Sequence, residues 1–317
     1  MTEQISWDYI VEETAVGMRV DKLASTQLAE FSRANIQEWL ESGALTVNSA
    51  QVKPKYLLKL ADNLQLRTTL SQKTEDMPEN IPLEVLYEDD CLLVINKPAG
   101  LVVHAGAGNP SGTLVNALLY HYPTQATLPR AGLVHRIDKD TTGLLLIAKT
   151  SYARQHLSDQ LKDKTLYRHY QCVVQGTPEL LRRHAVIDAP IARHPVQRTK
   201  MAVRSNGKPA VTHITAITAL GSCHCLLDIA LQTGRTHQIR VHLSHLGYPL
   251  VGDKTYGGAI KAGLSSSLRQ TVLAFPRQAL HAYRLGFIQP KTGESVVVTA
   301  PLPTDMQTLI HKLDKEE

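Results

Sequence analysis

From residue 83 onward the chain is a quick succession of short apolar runs, and this limits its fold more than any other feature. 'LEVLYE', 'CLLVINK', 'LLLIAK', 'HYQCVVQG', 'AVTHITAITAL', 'CLLDIALQ' and 'SVVVTAP' all read as strands. Helical stretches separate only some of them, notably 'TLVNALLYHY' and 'SYARQHLSDQLKDK'. A doubly wound parallel sheet needs strand and helix in regular alternation. Strands following strands predict an α+β fold with a mixed, largely antiparallel sheet. The sequence shows no internal repeat and no low-complexity segment.

The first 67 residues follow a different pattern. Residues 1–14 read as an N-terminal segment, either a tail or a leading strand. Val20, Leu23, Ala24, Leu28 and Phe31 then recur at helical spacing. Ser32 is placed to cap a second helix carrying Ile36, Trp39 and Leu40, with Gly43 as its stop. 'ALTVNSAQVK' reads as a hairpin: a strand at 45–47, a turn at 48–50 and a return at Val52. Residues 15–67 therefore form a small α+β unit. Residues 68–82, 'TTLSQKTEDMPENIP', have few large apolar residues and two prolines, and read as a linker to a domain over 83–317.

Composition excludes several classes. A net charge of +5 and a pI of about 8.9 are mildly basic and compatible with nucleic acid as a partner. The spacing of Cys91, Cys172, Cys223 and Cys225 is no disulfide framework, which suits a reducing cytoplasm. 'CHC' at 223–225 lies in a strand-like run that puts His224 on the opposite face from the thiols, so no metal is expected. The acidic N-terminus is not a signal peptide, and no apolar run approaches the ~20 residues of a membrane span. The expectation is a cytoplasmic protein with no membrane partner.

Three stretches carry the candidates for chemistry. The first is 'VHRIDKDTTG', residues 134–143, with five charged or histidine side chains at the mouth of an apolar strand. It reads as a polar turn or as a loop presenting a carboxylate from a rigid scaffold. The second is 'VINKPAGLVVHAG'. The third, 'LQTGRTHQIRVHLSHLGYPLVGDKTYGG', interleaves Thr236, Gln238, Arg240 and His242 with Ile239, Val241 and Leu243, a mixed face beside a core. There is no G-x-S-x-G elbow, no G-x-x-x-x-G-K-[ST] phosphate loop and no H-E-x-x-H metal motif. What remains is Asp138, since an aspartate can act as a nucleophile without metal or cofactor. It must then be ionised and held, which a buried arginine accomplishes.

'HRIDKDTTG' resembles the H-R-L-D-x-x-T-S-G signature of the RluA/RluD family of pseudouridine synthases. 'NKPAGLVVHAG' and 'LQTGRTHQIRVHLSHLGYPLVGDKTYGG' resemble that family's first and last motifs. The opening unit resembles the S4 RNA-binding module. 'GAGNPSGTLVNALL' and 'GKPAVTH' look most like the branch acting on large-subunit ribosomal RNA. Ile137, Thr142 and Ala105 depart from the usual leucine, serine and proline, and none removes a charge.

The resemblance implies the pseudouridine synthase fold preceded by an S4-like domain, and isomerisation of uridine without a cofactor. It places Asp138 on the catalytic aspartate, Arg240 on its paired arginine and Tyr170 on the active-site tyrosine. Arg136 falls on the residue that fills the space of the extruded nucleotide, since a stacked base cannot be worked on in place. His135, Lys97 and Arg235 are implied RNA or motif contacts, and Arg33, Lys53 and Lys55 could cluster as RNA contacts of the S4-like unit. The implied partner is 23S ribosomal RNA or the large ribosomal subunit, with a monomer favoured. The competing readings are a non-catalytic RNA-binding or ribosome-assembly protein, the same chemistry on another RNA such as tRNA, and an acid-base hydrolase using Asp138 with a histidine.

Overall fold

The computed structural model describes residues 3–28, 31, 33–70, 77–106, 108–258 and 264–315. Two compact units divide the chain, 1–75 and 76–317. Ser32, expected as a cap, and positions 71–76 of the expected linker lie outside the described residues.

The first unit comprises β1 (Glu3–Ile10), α1 (Val20–Gln27), α2 (Arg33–Ser42), β2 (Leu45–Val47) and β3 (Asn63–Leu70). Its sheet order is β1-β3-β2, antiparallel throughout. The leading residues are therefore an integral strand, with Trp7 opposite Leu66, and not a separate segment. Val20, Leu23, Ile36 and Leu40 from the helices pack on Leu45, Leu64 and Leu66 from the strands. The hairpin expected to return at Val52 is a correction. Asn48 and Ser49 turn the chain with positive φ, but β2 pairs with β3, Leu45 opposite Leu66. The segment around Pro54, which has no N–H for a ladder, stays irregular. Asn48 fixes the true partner: its Oδ1 accepts from Asn63 N at 2.8 Å.

The second unit contains β4 (Val85–Glu88), β5 (Leu92–Lys97), α3 (Leu114–His121), β6 (Thr142–Ala148), α4 (Ser151–Lys162) and β7 (Tyr167–Gln175). There follow α5 (Pro178–Leu181), β8 (Val186–Asp188), β9 (Ile191–Arg193), β10 (Met201–Val203), β11 (Val211–Leu220), β12 (His224–Leu231) and α6 (Gln238–His245). The chain closes with α7 (Ser266–Ala274), β13 (Leu280–Ile288), β14 (Ser295–Thr299) and α8 (Thr304–Lys315). A nine-stranded sheet runs β4-β5-β6-β13-β7-β12-β11-β8, with β14 also paired to β13. Only the β6–β13 pairing is parallel, so the sheet is mixed and largely antiparallel. The later half of the expected linker belongs here: Glu79 N donates to Asn116 O at 3.0 Å, and Asn116 Nδ2 to Met77 O at 2.8 Å.

β6 is buried at every position, which is why it reads as a continuous apolar run. Its alternation feeds two cores. Leu145 and Ile147 join Leu114 and Leu118 of α3, whereas Leu144 and Leu146 join Ala153 and Leu157 of α4. Tyr170 and Cys172 of β7 and Ile239 and Leu243 of α6 share the first core, so that face of the sheet carries the site. Gly143 permits the β6–β13 approach. Its φ is +108°, and a Cβ there would collide with the Ala282 carbonyl.

Candidate active site

The charged loop ahead of β6 is held by its own backbone carbonyls. Lys97 ends β5, is fully buried, and donates from Nζ to the carbonyls of Pro98, Leu101 and Lys139 at 2.7, 3.0 and 2.8 Å. Gly100 N donates to the same Lys139 carbonyl at 3.1 Å. Arg277, clamped bidentately by Asp305 at 2.7 and 2.8 Å, donates from Nη1 to Asp140 O at 3.3 Å. Gln278 Nε2 donates to Thr141 Oγ1 at 3.1 Å. The sequence expectation that Lys97 contacts RNA is thus corrected: its three donors are already spent on carbonyls, one of them in the loop, and none is left for a ligand. Burial pulls the Lys97 amine down to about 7, opposed by the charges of Asp140 and Asp138. Only the ammonium has the three N–H donors that this geometry uses.

On this pinned loop the Asp138 side chain turns to α6. Arg240 Nη1 donates to Asp138 Oδ2 at 2.8 Å. The rest of the guanidinium is committed to Asp253, Nε to Oδ2 at 2.7 Å and Nη2 to Oδ1 at 2.9 Å. Asp253 is buried and also accepts from Thr255 N and Tyr256 N at 2.9 and 3.0 Å. Burial alone would push Arg240 down, but Asp253 and Asp138 outweigh it and hold its pKa above the ordinary value. Burial would likewise raise Asp253, yet Arg240 and the two backbone donors hold it below the usual carboxylate range. The Tyr256 ring lies 5.0 Å from the guanidinium carbon, a cation–π contact. Arg240 is therefore fixed before it meets Asp138.

The start of α6 adds a further group. His237 precedes the helix in the left-handed region, φ 56°, which brings its Nε2 to 3.9 Å from Asp138 Oδ1. Its Nδ1 meets Tyr256 Oη at 2.8 Å, and that hydroxyl accepts from Met201 N at 2.8 Å. Burial pushes the imidazole below its ordinary pKa, against the pull of Asp138. Gln238 ties the helix start to β11: its Oε1 accepts from Arg235 N at 3.0 Å, and its Nε2 donates to Val211 O at 3.0 Å. The alternation read in this stretch as a mixed face is a helix with six successive buried residues, Gln238 to Leu243. His242 is satisfied inside, by Thr212 Oγ1 and Ala189 O, both at 2.9 Å.

Asp138, Arg136, Tyr170, Arg235 and Arg240 line one cavity of about 90 Å³, together with His237 and Arg168. Tyr170 is buried on β7; burial raises its phenol pKa, Arg168 opposes and Asp138 adds, so it carries its proton at neutral pH. Arg136 is exposed at the rim. His135 is not part of this cavity; its Nε2 accepts from Leu146 N at 3.1 Å, which fastens the loop to β6. Lys53 and Lys55 are exposed in the first unit, and the Arg33 side chain lies outside the described residues. Asp253, Arg277, Asp305 and Tyr256 did not stand out in the sequence, and His237 did so only as one of the polar residues crowded into 235–242, with no role assigned. Asp253 lies within the quoted 'VGDKTYGG', where it reads as turn chemistry. Among the described residues no His/Cys/Asp/Glu group could hold a metal, and no helix is long and apolar enough to cross a membrane.

This arrangement offers a fixed carboxylate, a paired guanidinium, a protonated phenol and a basic rim. Residues 91–245 match the model of the family described as RNA pseudouridylate synthase. The chain is 46% identical to a "Ribosomal large subunit pseudouridine synthase D" of Xanthomonas campestris, over 97% of this chain and 92% of that one. It is 43% identical to one of Pasteurella multocida, over 98% and 95%. The solved structure "Human RNA Pseudouridylate Synthase Domain Containing 4" superposes with a TM-score of 0.55 at 25% identity, covering 73% of this chain and 92% of that one.

Proposed function

The chain belongs to the RNA pseudouridylate synthase family, and we propose that it isomerises uridines of large-subunit ribosomal RNA to pseudouridine. The observation that carries the reading is the Asp138 carboxylate, held at 2.8 Å by an arginine that Asp253 clamps, in one cavity with Tyr170. The reaction breaks the N1 glycosidic bond, turns the uracil and joins C5 to the ribose. The proton lost from C5 is balanced by the one gained at N1, so neither an oxidant nor an energy carrier enters. Asp138 is the nucleophile toward the nucleoside. Arg240 holds the carboxylate in place and aims it. Tyr170 stacks on the uracil, and its hydroxyl serves proton transfer. Arg136, at the rim, occupies the space that the extruded nucleotide leaves. The first unit, resembling an S4 module, contributes RNA affinity. Chemical mapping of pseudouridine in transcribed large-subunit RNA incubated with the pure protein tests this reading. Pseudouridine at discrete uridines is the expected result; none in ribosomal RNA, or formation only in transfer RNA, counts against it.

A further inference from the structure

A second and larger cavity, of about 500 Å³, adjoins the one that holds Asp138. The two share Arg136, Arg168, Gly234 and Arg235. Arg130, Arg136, Lys162, Lys164, Arg168 and Arg235 line the larger one, and none of its lining residues is Asp or Glu. Lining this concentrated positive charge are two buried donors with nothing to donate to. Arg168 is 9% exposed, and its Nε has no hydrogen-bond partner. Among the described residues no carboxylate pairs with it, although buried arginines are ordinarily paired. His135 accepts at Nε2 from Leu146 N, so its ring proton belongs on Nδ1, and that buried Nδ1 is likewise without a partner.

The surrounding chain is shaped to hold these groups. Arg168 precedes Tyr170 by two positions on β7, so both side chains lie on one face. Gly234 leaves the room: a Cβ there would come 2.5 Å from Arg168 Nη1. Arg130 and Lys164 reach the cavity from positive-φ backbone, 55° and 61°. Strained non-glycine residues gathered at a cavity point to a functional constraint.

We infer that this cavity is a subsite for the RNA backbone beside the target nucleotide, with one flanking phosphodiester seated on Arg168 and His135. The inference rests on the reading of the protein as an RNA-modifying enzyme and names how that site grips its substrate. A phosphate oxygen accepts from both orphaned donors, supplies the anion that Arg168 lacks, and leaves the outer cations for neighbouring phosphates. Anion and enzyme are thereby matched one nucleotide away from Asp138, so strand register is set where the target is extruded.

The test is a charge cycle on a synthetic uridine-containing stem-loop of large-subunit RNA, made with single neutral methylphosphonates on either side of the uridine. Affinity is measured for the full-length protein and for Arg168→Gln. At one flanking position the neutral linkage should weaken wild type roughly ten- to a hundredfold, the scale of a charge-assisted hydrogen bond. Arg168→Gln should bind the unmodified RNA correspondingly weakly and be indifferent to that same linkage. Its melting temperature should be equal to or above that of wild type, because a buried unpaired charge is removed. Gly234→Ala, which displaces the guanidinium, should weaken RNA binding in wild type and have no effect in Arg168→Gln. Lys162→Gln with Lys164→Gln, both exposed, should lower the salt slope of log affinity by roughly 0.7 for each phosphate no longer neutralised. Equal methylphosphonate penalties in wild type and Arg168→Gln, or no penalty at any position, would overturn the assignment. Inorganic phosphate or uridine monophosphate binding as tightly as the stem-loop, through Arg168, would place a free phosphate ligand there and overturn it too. Turnover is scored separately: an intact charge cycle without any pseudouridine would defeat the enzymatic reading and leave the subsite standing.

Discussion

Lys97 illustrates what a residue's surroundings decide that its type does not. In 'VINKPAG' it is a cation beside a turn; folded, it is fully buried and ties three carbonyls together, one of them next to Asp138 in sequence. Lys97→Met should therefore lower kcat, and lower stability by about 2–4 kcal/mol, since three carbonyls lose the ammonium that ties them together, while RNA affinity stays near that of wild type. A large rise in Kd with an unchanged rate would instead make Lys97 a ligand contact. The Asp253–Arg240–Asp138 chain supports a second expectation. Asp253→Asn removes the charge that clamps Arg240 from behind, and the displaced guanidinium should cost roughly a hundredfold in kcat. Combined with Arg240→Ala the loss should be far from additive, because both changes act through the same guanidinium. A double variant whose deficit equals the sum of the single deficits would show that the clamp has another purpose. Asp138 and Arg240 stood out in the sequence because their flanking motifs are long. Asp253 did not, because an aspartate after glycine in a turn has an ordinary local explanation.

At the scale of elements, the site is where β6, β7 and α6 converge, and they differ in how openly the sequence declares them. The uninterrupted run of β6 is plain. β13, at the heart of the sheet, is not: Tyr283 and Arg284 interrupt its buried pattern, and it shares one edge between β6 and β14. α6 was obscured because burial on several sides erases the amphipathic signal on which helix recognition rests. The junction between the loop and β6 is pH-sensitive. Burial, helped by the charge of Arg168, pushes His135 down to about 3, against an ordinary value of 6.5. A pKa depressed by folding gives stability that is fully present above 6.5 and is lost as pH falls from 6.5 toward 3. Protonation fills the Nε2 lone pair that accepts from Leu146 N, so the loop detaches from the strand. Thermal melts between pH 7 and 4 should show wild type losing roughly 3 kcal/mol that His135→Gln does not lose. Parallel pH profiles for the two proteins would remove His135 as the cause.

For the whole molecule, strand succession was enough to give a mixed sheet, whereas pairing order and the borders of the first unit were not legible. β1 lies 53 positions before its partner β3, and local pattern carries no signal for such a closure. Each unit has its own apolar core, so removal of residues 1–75 should leave a folded protein that still isomerises uridine. Residues 1–75 hold eight Lys/Arg and ten Asp/Glu, a net of −2, so the unit's phosphate contacts rest on locally clustered cations and not on its overall charge. Truncation should lower the salt slope by roughly 0.7–0.9 for each phosphate that loses a cation, and blur the choice of uridines. Identical slopes and modification maps for both forms would deny the first unit a part in selecting RNA. The central claim, that Asp138 performs the chemistry, is tested most directly by Asp138→Asn, which keeps the shape and removes the charge. Pseudouridine formation in large-subunit RNA is measured with pure variant protein whose intact mass excludes deamidation. The expected result is a fall of roughly a thousandfold or more, with melting temperature and RNA affinity close to wild type. An Asp138→Asn protein that still converts its uridines at near wild-type rate would contradict the account.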